Sequence, residues 1–191
     1  MKLIIIEGPD NCGKNTLIQN IIDNNDIVKV VHCHKPDKGV DDPFKAMTDI
    51  YFWHADNILR DNIQSHCDVV IFNRYYQSEY IYGQLYRGGE PEKIKQMIYT
   101  LESYLKNHLG YDNIYYVQLM SDSVKLLINN EDGQSLSNGK EEQITKELEL
   151  FKDIFNFCKV KKKMIYINNG DNFKTREDIL KDFTDFINTG E

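Results

Sequence analysis

The stretch Glu7-Gly8-Pro9-Asp10-Asn11-Cys12-Gly13-Lys14-Asn15-Thr16 decides the fold. An apolar run, Leu3-Ile4-Ile5-Ile6, leads into it, and apolar residues at helical spacing, Leu17, Ile18, Ile21 and Ile22, lead out. A strand, a glycine-bounded loop ending in lysine and a helix make the setting of a phosphate-binding P-loop. Gly8 and Gly13 let the backbone curl until successive N–H groups point inward as an anion nest. The helix that follows aims its positive end at the same spot, and Lys14 adds a full charge. Gly8, Asn11, Cys12, Gly13, Lys14, Asn15 and Thr16 are therefore the expected ligands of nucleotide phosphates. One position departs from the pattern. A hydroxyl normally follows the lysine and binds Mg²⁺, whereas Asn15 offers an amide carbonyl, a weaker ligand for a hard cation. Thr16 lies about 100° further round the helix and is poorly placed to substitute.

The chain has 191 residues, with 41% hydrophobic and 28% charged, which suits one globular α/β domain with a full core. Its net charge of −7 disfavours a nucleic-acid polymer as partner. No signal peptide and no stretch long enough for a membrane span is read, so a cytoplasmic protein without membrane association is expected. The four cysteines, Cys12, Cys33, Cys67 and Cys158, have no paired spacing and read as reduced thiols.

Five short apolar runs read as buried strands: Lys2–Glu7, Ile27–Cys33, Asp68–Phe72, Ile114–Leu119 and Met164–Ile167. Helical stretches separate them, the pattern of a parallel sheet covered on both faces. Asp42-Pro43 is a cap and first-turn pair opening a helix to about Ser65. Gly88-Gly89 breaks the chain before a helix starting at Pro91. Ser121 is the expected cap of another helix, and Thr175 to Asp178 forms a capping box before the last. Ile144, Leu148, Phe151, Phe155 and Cys158 make one apolar stripe, while Lys159 to Lys163 reads as a solvated basic run closing that helix. Asn129 to Gln143 is the least apolar stretch and reads as a lid loop.

The third strand runs into Asn73-Arg74-Tyr75. Open α/β sheets bind ligands at the carboxyl ends of their strands, so Asn73 and Arg74 are expected beside the P-loop. Only four arginines occur, Arg60, Arg74, Arg87 and Arg176, in a chain rich in lysine. Arg74 has the planar fork that suits a phosphate. His32 and His34 share one face of the second strand, and His34 or Lys35 is within reach of a bound phosphate.

These residues resemble the thymidylate kinase family. Glu7 to Thr16 is similar to its P-loop, with an acid two places after the first glycine. Asn73-Arg74-Tyr75, with Ser78 and Tyr82 downstream, resembles its Asp-Arg-Tyr motif, and Trp53-His54-Ala55-Asp56-Asn57 resembles its base-binding helix. Tyr82 to Gly88 is similar to phage-type members. The resemblance implies a P-loop NTPase three-layer sandwich with a five-stranded parallel sheet. It implies transfer of the γ-phosphoryl group of ATP to a deoxynucleoside 5′-monophosphate, dTMP first, with Mg²⁺ as cofactor. Lys14 and the loop amides would hold the ATP phosphates. Asp10 would accept from the acceptor 3′-hydroxyl, Arg74 would hold its 5′-phosphate, Trp53 would stack on the base, Asn57 would read it and Tyr82 would pack on the deoxyribose. The metal positions fall on Asn15 and Asn73. Lys140, in the expected lid, stands where the family places an arginine. The resemblance also points to a homodimer. Asn15 and Asn73 both lack the family's metal-binding groups, and Asn57 replaces its base-reading arginine. A deoxynucleoside kinase acting on a 5′-hydroxyl and a non-catalytic nucleotide binder therefore stand as alternatives.

Overall fold

A computed structural model describes residues 1–24, 28–33, 39–64, 68–130, 133 and 135–190. Its core is a five-stranded, wholly parallel sheet ordered β2-β3-β1-β4-β5. The strands are β1 (Lys2–Glu7), β2 (Val28–His32), β3 (Val69–Asn73), β4 (Ile114–Met120) and β5 (Lys161–Tyr166). Every residue of β4 is buried, as is all of β1 but its first residue. Parallel strands buried on both faces need continuous apolar runs rather than alternation, and these runs supply them.

The helices are α1 (Lys14–Ile22), α2 (Pro43–Gln64), α3 (Gln77–Tyr86), α4 (Pro91–Leu109), α5 (Val124–Asn129), α6 (Glu141–Phe157) and α7 (Arg176–Thr189). α1 packs with α7, while α2, α3, α4 and α6 pack on one another in a chain. Asp42 Oδ1 accepts from the Lys45 N–H at 2.9 Å and so starts α2 as expected. Thr175 accepts from the Asp178 N–H at 3.1 Å, the first half of the expected capping box, and its hydroxyl donates to the Asp178 carboxylate at 2.8 Å.

Several boundaries differ from the sequence expectation. Ser123, not Ser121, caps α5, accepting from the Leu126 N–H at 3.3 Å. Ser121 instead braces the cap by accepting from the Ser123 N–H. The lysine run does not end a helix: Lys161, Lys162 and Lys163 open β5. The aliphatic stems of these lysines let an edge strand begin with charge. Lys162 still answers the carboxyl end of α6, donating to the carbonyls of Phe155, Asn156 and Cys158 at 2.5, 3.0 and 3.0 Å. Asn168-Asn169-Gly170-Asp171 falls in a small hairpin of β6 (Asn168–Asn169) and β7 (Asn172–Phe173). The stretch expected as a lid loop ends sooner than read, because α6 already begins at Glu141. Ser135 and Ser137, within that segment, are buried.

Candidate active site

β1, β3 and the β1–α1 loop meet at the carboxyl edge of the sheet. The loop is shaped by backbone that suits few residues: φ is +144° at Gly8, +62° at Asn11 and +80° at Gly13. Gly8 is held by its neighbours as well as by φ, since a Cβ there would be driven into the Leu119 carbonyl oxygen of β4. Gly13 is the left-handed N-cap of α1. The Lys14 ammonium curls back over the loop and donates to the carbonyls of Gly8 and Pro9 at 3.0 and 2.6 Å. Burial pushes its pKa below the ordinary lysine value, and the neighbouring Arg74 charge adds to the shift.

Arg74 leaves β3 with φ +67°, a conformation that costs a non-glycine residue ~1–3 kcal/mol and must be imposed by its surroundings. The surroundings are visible. The Arg74 N–H donates to the Ile6 carbonyl at 3.0 Å. The fully buried Glu7 carboxylate accepts from the Tyr75 N–H at 2.7 Å, the Ser78 N–H at 3.3 Å and the Ser78 hydroxyl at 2.6 Å. Glu7 thus ties the end of β1 to the corner between β3 and α3. Burial raises its pKa, with Arg74 the largest opposing influence. The Arg74 guanidinium donates through Nη2 to Asp10, lies 3.8 Å through Nη1 from Glu7 Oε2, and sits over the Tyr82 ring at 4.8 Å. Arg74 Nη1 has no hydrogen-bond partner among the described residues.

Asp10, Asn11, Gly13, Lys14, Asn15, Asn73 and Arg74 line one crevice of about 560 Å³. The strand-end reading of Asn73 and Arg74 therefore brings them to the P-loop. His32, Cys33, Asn130 and Ser135 complete the wall. Of these, sequence reasoning named His32 for sharing a strand face with His34, and placed Asn130 and Ser135 in the expected lid; His34 and Lys35, the residues expected to reach a phosphate, lie outside the described residues. A second groove of about 370 Å³ shares Asn11, Gly13 and Asn130 with the first and runs past Cys12, Thr16, Phe173, Lys174 and Arg176. Lys174 and Arg176 were missed, although the capping box at Thr175 fixes where α7 starts and α7 packs on α1.

Four expected residues stand elsewhere. Trp53, mostly exposed, and Asn57 line a separate groove between β2 and α2, which meets the crevice only at His32. Tyr82 is buried beneath the guanidinium rather than on the crevice wall. Lys140 is the exposed N-cap of α6 and does not line the crevice. Their roles came from the resemblance, which carries a motif position and not the distance from a helix to the loop.

The metal positions come together as neutral amides, weaker ligands for a hard cation than a carboxylate. Asn73 Nδ2 donates to Asn15 Oδ1 at 2.6 Å. Asp10 is engaged by Arg74, and Glu7 is wholly buried against α3. No three His, Cys, Asp or Glu side chains among the described residues group to hold a metal ion. No helix among them is long and apolar enough to cross a membrane.

By sequence the chain matches no family model and no curated protein. By structure it is similar to the YorR protein of Bacillus subtilis, solved in complex with phosphorylated GDP, at 16% identity and a TM-score of 0.65, covering 98% of this chain and 96% of that one. It is also similar to thymidylate kinase from Ehrlichia chaffeensis, at 13% identity and a TM-score of 0.64, covering 97% and 98%. Polyphosphate kinase 2 from Arthrobacter aurescens matches at 12% identity and a TM-score of 0.52, covering 86% and 60%. At these identities the likeness shows the fold: an α/β P-loop kinase fold spanning nearly the whole chain.

Proposed function

We propose that the chain is a phosphotransferase that moves the γ-phosphoryl group of ATP to a nucleoside monophosphate, with a deoxynucleoside 5′-monophosphate such as dTMP as acceptor. The carrying observation is that the Lys14 loop and the Arg74 guanidinium share one crevice large enough for joined phosphates. The thymidylate kinase and the nucleotide-bound protein among its structural neighbours support a nucleotide at this edge.

In this reading the loop amides and Lys14 hold the donor phosphates. Lys14 would exchange the Gly8 and Pro9 carbonyls for phosphate oxygens. Arg74, its plane fixed by Asp10 and Tyr82, takes the acceptor phosphate. Catalysis would come from alignment and charge stabilisation rather than a covalent intermediate. Asp10 is already bonded to Arg74, so its expected contact with the acceptor sugar would use its remaining acceptor capacity. The groove of Phe173, Lys174 and Arg176 lies on the α1 side and suits the rest of the donor nucleotide.

A second reading, a nucleotide binder without turnover, is favoured by the Asn15–Asn73 contact. A panel of the four dNMPs with ATP and MgCl₂, followed by ADP release, separates the two. Turnover with one dNMP and none with the nucleosides supports the proposal. ATP hydrolysis alone, or no ADP with any acceptor, sinks it.

A further inference from the structure

Resting on that reading, we infer that Tyr82 is a positioning residue: its ring holds the Arg74 guanidinium in the plane that meets the acceptor phosphate, and it does not contact the acceptor sugar. The resemblance implies the sugar for Tyr82. The residue, however, is only 5% exposed and does not line the crevice. Its ring lies against the guanidinium, with 4.8 Å from Arg74 Cζ to the ring centre. A guanidinium offers hydrogen bonds along its edge and a flat, weakly hydrated face. Asp10 takes the edge at Nη2, which leaves the group free to turn about that bond. An aromatic ring against the face stops the turning and attracts the charge. Together the two contacts fix the plane, and a fixed fork is what lets an arginine hold a phosphate by two parallel bonds.

The ring is itself held from behind. Tyr86, one turn further along α3, stacks on it with 6.0 Å between ring centres and 22° between planes. Phe151 of α6 meets it edge-on at 6.2 Å. The Tyr86 hydroxyl donates to Glu147 of α6 at 2.6 Å. A column of one guanidinium and two rings therefore runs from the crevice towards α6. The Tyr82 hydroxyl has no hydrogen-bond partner among the described residues, so Tyr82→Phe keeps the ring and breaks none of their bonds.

Calorimetric titration of the parent chain, Tyr82→Phe and Tyr82→Leu tests this. Each is titrated with the four dNMPs, with the ribonucleotide of the tightest-binding base, and with ATP. Tyr82→Phe should bind that dNMP within about threefold of the parent, and Tyr82→Leu about fivefold or more weakly. Kd for ATP should stay within about threefold in both variants, as should the ratio of ribonucleotide to deoxynucleotide Kd. Tyr82→Met replaces Tyr82→Leu if thermal unfolding shows that the leucine variant does not fold. A variant without the ring that binds the dNMP as tightly as the parent overturns the inference. So does a loss in Tyr82→Phe as large as in Tyr82→Leu, or an equal loss for ATP. A ribonucleotide ratio that moves about tenfold or more puts the side chain on the sugar and overturns it as well. Each of these outcomes leaves the proposed function standing. A parent chain that binds none of the four dNMPs removes the inference and the proposed function together.

Discussion

Arg74 combines backbone strain and a full charge in one residue of the site. Its positive φ is imposed by the Ile6 carbonyl and the Glu7 carboxylate, and its guanidinium plane by Asp10 and Tyr82. A lysine in its place keeps the charge and loses the fork. Charge-assisted hydrogen bonds are worth ~1.5–3 kcal/mol, so Arg74→Lys should raise KM for the acceptor about tenfold or more. KM for ATP should move much less, and steady-state kinetics with each substrate varied in turn checks the split. Arg74 was legible in the sequence because arginine is scarce and a strand end is an address. Trp53, Asn57, Tyr82 and Lys140 were named through the resemblance, and where each side chain goes depends on how its helix sits, which no periodicity encodes.

The end of α3 is fastened by a half-buried ion pair. Arg87 donates to both oxygens of Glu79 at 3.2 and 2.6 Å, and the Tyr51 hydroxyl adds a third bond at 3.1 Å. Gly83 makes the space for it. A Cβ there would lie 2.6 Å from Glu79 Oε1 and 3.1 Å from Ile94 Cδ1. Glycine to alanine inside a helix ordinarily gains up to ~1 kcal/mol. At Gly83 the sign should reverse, with Gly83→Ala costing about 1–3 kcal/mol in urea denaturation through overpacking. At this scale the sequence was a good guide. Apolar runs, caps at Asp42 and Thr175 and the break at Gly88-Gly89 located the elements to within a few residues. It failed where chemistry was ambiguous. Either serine near Val124 can cap α5, and a lysine run can close a helix or open an edge strand. The hairpin of β6 and β7 has only two residues on each side, too few to show a period.

Across the molecule, burial raises the pKa of three carboxyls, Glu7, Glu102 and Glu147. A raised folded-state pKa means that the folded chain binds these protons more tightly than the unfolded one. Their contribution to stability is fully present below the ordinary glutamate range and is lost as pH rises through the raised values. Glu147 is the cleanest to test. It is buried in α6, accepts from the Tyr86 hydroxyl at 2.6 Å, and can become glutamine without losing that acceptor. Glu147→Gln should raise Tm by a few degrees at about pH 8 and by less at about pH 5, followed by calorimetry. The strand order has one more effect. β1 occupies the centre of the sheet, between β3 and β4. Its carboxylate at Glu7 finds the Tyr75 amide 68 residues downstream. During synthesis β1 therefore leaves the ribosome before either of the strands that flank it has been made. Ribosome-tethered intermediates should engage holdase chaperones until that later stretch has cleared the exit tunnel.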